Sequence, residues 1–140
     1  MSLLIALLLS LFAPRGYLLI PAIDLYRPVG ECALVDGWHD TTALGNGVCH
    51  LEGTTWIDDE WGRVALGGHT PGAFARLTEV GVGDVIILWD RAGIEVYRVT
   101  WRGSVPVSDI QWLMPTTEQT VVLITCDNAD RLIIDSERIH

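Results

Sequence analysis

Near its C-terminus the chain reads Val121-Val122-Leu123-Ile124-Thr125-Cys126, a run of β-branched and apolar residues that ends on a cysteine. Such a run is typical of a buried or half-buried β-strand. A polar turn, Asp127-Asn128-Ala129-Asp130, separates it from a second apolar run, Arg131-Leu132-Ile133-Ile134. Two runs joined by a short loop rich in Asp and Asn predict a β-hairpin.

The predicted hairpin places Cys126 next to Arg131. If the loop is residues 127–130, these two residues flank it and lie opposite each other on one face, with Cβ atoms about 4.5–5.5 Å apart. A guanidinium beside a thiol favours the thiolate, which is the nucleophilic form of cysteine. The plainer interpretation is a buried cysteine at a strand end, with Arg131 in a rim ion pair with Asp127 or Asp130. A third residue with acid or base chemistry would decide between them.

Composition indicates one globular domain and excludes nucleic acid as a partner. The chain has 140 residues, of which 49% are hydrophobic and 19% are charged, so it is long enough and apolar enough for a core. Its net charge is −9, and all nine basic residues are arginine. Phosphate recognition needs clustered basic residues, which an acidic chain of this kind does not offer.

A short apolar segment begins the chain. Residues 3–13 are almost wholly apolar, and Pro14-Arg15-Gly16 ends the run. The run is too short to span a bilayer, which takes about 20 residues, and it lacks the basic segment that opens a signal peptide. We therefore expect residues 1–16 to be either the remnant of a membrane anchor or a helix packed on the domain that follows.

Between these two ends the sequence alternates short apolar runs with turns. A single helical turn is predicted within residues 71–80, and a long connection within residues 104–119. Besides the closing hairpin, strands are predicted at residues 17–25 (interrupted by Pro21), 63–66, 84–89 and 94–101. Seven or eight short strands with few helices indicate an all-β barrel or sandwich.

Four histidines are available as partners for Cys126. His69 follows Gly67-Gly68 and ends a predicted strand, so its ring is expected at the rim of a sheet, where sites usually form. His50, within the segment Cys49-His50-Leu51-Glu52-Gly53-Thr54, is its main competitor. The other two lie in a polar loop and at the chain end: His39 and His140.

The remaining cysteines allow two interpretations. Cys32 and Cys49 either form a disulfide in an oxidising compartment or are two small buried hydrophobic residues, which leaves Cys126 as the odd thiol. A zinc site built from Cys32, His39, Cys49 and His50 is disfavoured, because their spacing lacks the short paired pattern of closed zinc sites. The sequence predicts no metal and no cofactor.

Several motifs along the chain also resemble those of a known protein family. The motif Leu123-Ile124-Thr125-Cys126 with a following Arg, and a Gly-His-Thr upstream at residues 68–70, resembles the sortase family of cell-surface cysteine transpeptidases. The similarity runs in order over residues 17–139, which a chance match of one short motif does not do. Further matching segments are Leu19-Ile20-Pro21-Ala22-Ile23, residues 49–54, Asp84-Val85-Ile86, Tyr97-Arg98-Val99 and Trp112-Leu113-Met114-Pro115-Thr116.

The resemblance implies a closed eight-stranded β-barrel formed by a catalytic domain at residues 17–140. It implies that Cys126 is the nucleophile, His69 the general acid and base, and Arg131 the residue that binds substrate and steadies the oxyanion. Thr125 would support the site, and the connection at residues 104–119, with Trp112 and Leu113, would form the substrate-binding wall. Arg138 is a second candidate arginine, but seven residues of strand separate it from Arg131, over ~20 Å.

The implied reaction cleaves a C-terminal sorting signal of the Leu-Pro-x-Thr-Gly kind on a secreted protein. A thioacyl enzyme forms and is resolved by an amine from a cell-wall peptide or a pilin subunit. The implied location is the cell surface, with membrane association through the N-terminal segment. Two rival hypotheses are a cysteine peptidase that only hydrolyses, and a non-catalytic surface module that keeps the fold.

Overall fold

Eight strands close into one barrel in the computed structural model, which describes residues 14–42 and 44–140. The order around the barrel is β1-β2-β5-β6-β9-β10-β8-β7, and β3 and β4 form a separate two-stranded hairpin. The strands are β1 (Gly16–Ile20), β2 (Leu25–Cys32), β3 (Leu34–Val35), β4 (Trp38–His39), β5 (Val48–Leu51), β6 (Arg63–Gly68), β7 (Val85–Trp89), β8 (Ile94–Val105), β9 (Thr120–Asp127) and β10 (Asp130–Arg138). The predicted all-β, closed eight-stranded barrel is therefore confirmed.

The N-terminal strand differs from its prediction. The run at residues 17–25 is not one strand interrupted by Pro21. It contains β1 and the start of β2, two antiparallel strands joined by the 3₁₀ turn Pro21–Ile23. Pro21 has no N–H to continue the ladder, and Asp24 takes a left-handed conformation with φ 49° that reverses the chain. Proline therefore ends the strand instead of bending it.

The strands separate two apolar clusters. The barrel interior is filled by inward residues of every barrel strand, among them Leu18, Val64, Leu88 and Leu123. A smaller cluster covers the outside of β6, β9 and β10, and we call it the outer cluster. Its buried members are Cys32, Cys49, Leu51, Ala65, Val105, Val122 and Ile133. Alternate residues of β9 therefore serve different clusters, as the two-residue period of a strand requires.

The predicted helical turn and long connection are both shorter than expected. Within residues 71–80 the structure has a 3₁₀ turn, Leu77–Glu79, with Leu77 buried as predicted. Strand β8 continues four residues past Trp101, to Val105, because its pairing with β10 extends as far as Arg131. The connection therefore covers residues 106–119 and contains a third 3₁₀ turn, Gln111–Leu113.

The closing hairpin confirms the predicted pairing and corrects its loop. Cys126 pairs with Arg131 in the β9–β10 ladder. Asp127 and Asp130 also pair, so the loop is Asn128-Ala129 alone and not the four residues 127–130. Asn128 has φ 56°, a conformation that asparagine tolerates better than most residues. The tighter turn leaves the register unchanged.

The apolar residues 1–13 lie outside the described residues. Within the described part, no helix is long and apolar enough to cross a membrane. The prediction for this segment stays a prediction.

A disulfide joins Cys32 at the end of β2 to Cys49 in β5, so the first interpretation of these cysteines is correct. Because the bridge closes a loop between residues 17 apart, it limits the freedom of the unfolded chain, an effect of about 3 kcal/mol for a loop of this size. It also removes both thiolates on which a zinc site would depend.

We expect the Cys32→Ala/Cys49→Ala variant to unfold in urea with a free energy about 3 kcal/mol below that of the wild type. Reducing the wild type with a thiol should give a similar loss. Cys126→Ala is the matched control and should leave stability nearly unchanged, because this thiol is free and exposed. Equal unfolding free energies for oxidised and reduced wild type would contradict the prediction.

Candidate active site

Strand β6 brings His69 to Cys126. It pairs in parallel with β9, with Leu66 opposite Leu123 and Gly67 opposite Ile124. The same register continued by two residues sets His69 beside Cys126, and neighbouring strands lie about 4.7–4.9 Å apart. A hydrogen bond between the hydroxyls of Thr70 and Thr125, at 2.8 Å, shows that the two segments remain adjacent there.

The glycines before His69 allow neighbouring groups to approach closely. A Cβ added to Gly67 would lie 3.3 Å from Leu51 Cδ2 in the outer cluster. One added to Gly68 would lie 2.6 Å from the ring of Phe74, which is closer than real contacts allow. Gly67 thus faces outward and Gly68 inward, so His69 falls on the outward face that also carries Cys126.

Arg131 lies opposite Cys126 and is partly exposed. Its Nη1 donates to the carbonyl of Asp130 at 3.3 Å. Among the described residues, none of the ion pairs includes Arg131. The rim ion pair with Asp127 or Asp130 is therefore not formed, and Asp127 instead accepts from the hydroxyl of Ser104 at 2.9 Å. The guanidinium keeps most of its donors for a ligand.

The ring of His69 is half-buried and fixed by the chain beside it. Its Nε2 lies 3.0 Å from the carbonyl oxygen of Thr41. A carbonyl oxygen only accepts hydrogen bonds, so Nε2 carries the proton in this contact. Nδ1 is then the nitrogen left for exchange with another group.

An apolar cluster lies on the same outward face of the sheet as these three residues. It is formed by Val122 and Ile133 of the outer cluster, with Ile124 packed against them. Leu44 approaches from the chain before β5, and Trp112 and Leu113 approach from the connection at residues 106–119. These side chains form an apolar cluster along the outside of β9, the strand that carries Cys126.

Trp112 is held between an aromatic ring and a cation. It stacks on Trp101 of β8, with ring centroids 4.8 Å apart and planes 15° apart. The guanidinium of Arg63 lies 5.5 Å from the Trp112 ring centroid, and its Nη1 donates to the carbonyl of Gln111 at 2.8 Å. Cation–π and stacking contacts of this kind orient the ring as well as stabilise it. The connection is thus fixed over the outer cluster.

A family profile described as a sortase domain matches residues 18–139. The chain belongs to the sortase family. No curated protein sequence matches it.

Solved sortase structures share the fold. Sortase C1 from Streptococcus suis is 30% identical, with a TM-score of 0.79 over 96% of this chain and 78% of that one. The complex of Streptococcus agalactiae sortase C1 with MTSET is 26% identical, with a TM-score of 0.79 over 92% and 69%. A Clostridium perfringens sortase D5 transpeptidase is similar in fold, at 23% identity and a TM-score of 0.77 over 89% and 78%.

Membership makes the chain a sortase-type cysteine transpeptidase. Sortases act outside the cytoplasm, on protein substrates with sorting signals and on amine acceptors. The disulfide fits an oxidising compartment of that kind.

His50, the competing histidine, serves this sortase in another way. It is 3% exposed, and its Nδ1 lies 2.7 Å from a carboxylate oxygen of Glu31. Its Nε2 lies 2.7 Å from the carbonyl of Thr55, and its ring meets Trp56 edge-on. Both ring nitrogens are occupied, so His50 joins β5 to the segment after it.

The structure places Thr125 inside the barrel and Arg138 far from Arg131. Thr125 is buried and faces the barrel interior, where its hydroxyl bonds the hydroxyl of Thr70. Thr70 in turn donates to the carbonyl of Phe74 at 3.2 Å. Arg138 pairs with Tyr97 at the opposite end of β10 from Arg131 and lies 3.9 Å from Glu95.

Arg63 and the carbonyl of Thr41 are site residues that sequence reasoning missed. Arg63 opens β6 and is buried, which is unusual for arginine and follows from its place beneath Trp112. Its position two residues before Ala65, on the outward side of a strand, is the signal that could have found it. Thr41 acts through its backbone, so no residue type could have marked it.

Asp135 sits beside Arg63, with Nη2 and Oδ2 3.8 Å apart. Burial raises the pKa of Asp135, and the attraction of Arg63 offsets only part of that rise. A pKa that is higher in the folded state than in the unfolded chain gives stability that is present below the unfolded value of about 3.9 and lost as pH rises through the folded value.

We therefore expect the unfolding free energy of the wild type to fall relative to that of Asp135→Asn as pH rises from about 4 to about 7. Urea unfolding of both proteins across this range measures the difference, and the shared acid response of other groups cancels. A difference that stays constant with pH would contradict the raised pKa.

Proposed function

We propose that this sortase cleaves a C-terminal Leu-Pro-x-Thr-Gly-like sorting signal through a thioacyl enzyme and transfers the acyl group to an amine. The observation that supports it most is the strand register. It sets Cys126 directly opposite Arg131, while the parallel register of β6 brings His69 to the same outward face. The proposed nucleophile, proton carrier and cation therefore share one face of the sheet, next to the outer cluster.

The first half-reaction joins Cys126 to the substrate. The Sγ thiolate attacks the carbonyl carbon of the Thr–Gly bond, and the carbonyl oxygen becomes an oxyanion. Imidazolium His69 donates a proton to the departing glycine amine as the C–N bond breaks. The products are a thioester on Cys126, a free amine and neutral His69.

The second half-reaction releases the acyl group. An incoming amine attacks the thioester carbonyl and gives its proton to neutral His69, and the C–S bond breaks to return the thiolate. The acceptor is the amine of a cell-wall peptide or of a pilin subunit. Water in place of the amine gives hydrolysis.

Arg131 is the proposed partner of the oxyanion in both steps. Arg131 is opposite Cys126, and within the described chain its guanidinium donates one hydrogen bond, to the carbonyl of Asp130. Charge-assisted donors aimed at a developing oxyanion are among the strongest contributions to catalysis. Thr125 supports the site from inside the barrel through Thr70, and its backbone is the part that faces the substrate.

Trp112 and Leu113 are proposed to contact the sorting signal. They pack on the outer cluster from the connection, where Trp101 and Arg63 orient the indole. Residues of this wall would set sequence preference, because they contact side chains of the peptide and not its reacting carbonyl.

Trp112→Ala is expected to raise the KM for a sorting-signal peptide about tenfold, since a buried aromatic contact contributes about 1–2 kcal/mol to binding. The turnover number should change little, because the reacting groups stay in place. Trp89→Ala is a matched control, because Trp89 of β7 stacks on Tyr17 of β1, away from the outer cluster. Equal KM values for the two variants would contradict the assignment.

For the location of the enzyme, we propose the outer face of the cell membrane, with residues 1–16 as the attachment. The segment is apolar over residues 3–13 and leads directly into β1. Attachment there would keep the barrel close to secreted substrates and to the cell wall.

The proposed reaction is tested by incubating the protein with a Leu-Pro-x-Thr-Gly peptide, with and without triglycine. A ligated product that requires both triglycine and Cys126 is expected. A peptide library in place of the single peptide identifies the preferred signal. Cleavage without any triglycine-dependent product would make the protein a hydrolytic peptidase, and no cleavage of any library member would contradict the proposed substrate class.

A further inference from the structure

The disulfide closes a stretch of chain that runs beside His69. Between Cys32 and Cys49 the described residues 33–42 and 44–48 form the β3–β4 hairpin and the segment that returns to β5. We call this stretch the stapled loop. It includes Thr41, whose carbonyl oxygen holds Nε2 of His69 at 3.0 Å.

The backbone around Thr41 is fixed from both sides. The N–H of Asp40 donates to the carbonyl of Ala33 at 2.8 Å, which closes the base of the hairpin. One carboxylate oxygen of Asp40 then accepts from the hydroxyl of Thr42 at 2.7 Å and from its N–H at 3.0 Å. These two bonds lower the pKa of Asp40, so the carboxylate is ionised when it accepts them at neutral pH. Thr41 lies between the two bonded residues.

The far side of the stapled loop is packed against the site. Leu44 contacts the outer cluster, which contains both disulfide cysteines. The N–H of Leu44 also donates to the carbonyl of Thr41 at 3.1 Å. A Cβ added to Gly72 would lie 3.1 Å from the carbonyl oxygen of Gly45 and 2.9 Å from that of His69. The backbone of the stapled loop at Gly45 therefore lies close to the backbone of the segment that follows His69.

The bond to Thr41 decides which nitrogen of His69 can exchange a proton. Because the carbonyl only accepts, Nε2 keeps its proton in both the neutral and the charged ring. Nδ1 must then gain and lose the proton. A ring without this bond would populate both tautomers and turn more freely.

We propose that the Cys32–Cys49 disulfide and Asp40 are positioning groups that hold the Thr41 carbonyl against His69 and so reserve Nδ1 for catalysis. The inference rests on the proposed function of His69 and deepens it. In acylation Nδ1–H is donated to the leaving amine and Nε2–H stays in place. In deacylation the lone pair of Nδ1 takes the proton of the incoming amine, which restores the starting imidazolium.

The tautomer is measured by nitrogen NMR of protein labelled with ¹⁵N-histidine, with His69→Gln used to assign the signal. Neutral His69 in the wild type should show the Nε2–H tautomer. Asp40→Ala and Cys32→Ala/Cys49→Ala should show a mixture of both tautomers. This readout does not depend on the substrate, so a wild type that fails to ligate peptides but shows Nε2–H would contradict the proposed function and leave the positioning intact.

Kinetics give the second readout. Asp40→Ala and the double cysteine variant should each lose about tenfold in kcat, with KM changed less than about twofold, as expected when a reacting group is misplaced. Asp40→Asn keeps an acceptor oxygen for Thr42 and should restore most of kcat. Asp84→Ala is the matched control, because Asp84 accepts from the N–H of Gly81 at 2.8 Å in a turn before β7. It should leave kcat and the tautomer unchanged.

Cys126 is the free thiol in the wild type and the one remaining thiol in the double variant. The rate of alkylation by iodoacetamide therefore measures the reactivity of the same cysteine in both proteins.

An Nδ1–H tautomer in the wild type would overturn the proposal. So would an unchanged tautomer and kcat in Asp40→Ala, which keeps the disulfide and tests the loop if the double variant does not fold.

Discussion

Cys126→Ala is expected to abolish ligation of a sorting-signal peptide to triglycine, with a loss of about 10⁴-fold or more in kcat/KM. The methyl group cannot form the thioester, and the described chain offers no second free thiol to replace it. Initial rates by chromatography, with wild-type enzyme at matched concentration, measure the loss.

The fold should survive this change. The side chain of Cys126 is exposed at the end of β9, so its removal leaves no internal cavity, and unfolding free energy should shift by less than about 0.5 kcal/mol. An inactive variant that unfolds like the wild type therefore assigns the loss to chemistry. Ligation at more than a few per cent of the wild-type rate would show that Cys126 is not the nucleophile.

Arg131→Lys is expected to lower kcat about 100-fold while the protein folds normally. Lysine keeps the positive charge but replaces a planar fork of donors by a single ammonium on a flexible stem. Steady-state kinetics with the same peptide pair separate kcat from KM, and the loss should fall on kcat because the oxyanion exists only during reaction.

Arg138→Lys is the matched control for this variant. Arg138 lies on the same strand, but at the other end of β10, where it faces Glu95. It should retain turnover within about twofold of the wild type. If Arg138→Lys loses activity and Arg131→Lys keeps it, the arginine assignment is reversed.

Some features of the closing hairpin could be predicted from the sequence and others could not. The pairing of Cys126 with Arg131 was predictable, because turn residues and two apolar runs define a register locally. The loop length was not, since the positive φ that Asn128 adopts allows a two-residue turn that the letters Asp-Asn-Ala-Asp do not demand. Only the resemblance implied that His69 lies near Cys126. That nearness depends on a parallel pairing between β6 and β9, which the sequence did not indicate.

Contacts made by backbone groups and by distant residues escaped prediction. The Thr41 carbonyl has no side-chain signature, and the stack of Trp101, Trp112 and Arg63 joins three separate segments. His50 was a competitor on sequence grounds because its burial and its bond to Glu31 depend on the pairing of β2 with β5. Local patterns predicted most of the barrel strands, whereas long-range pairing determines which histidine lies beside Cys126.

Intact-mass spectrometry of the protein mixed with a sorting-signal peptide, without an amine, tests the thioacyl enzyme most directly. We expect the protein to gain the mass of the acyl fragment that ends in threonine, located on Cys126 and removed by hydroxylamine or triglycine. Turnover of the peptide with no such adduct under rapid acid quench, or an adduct on another residue, would contradict it.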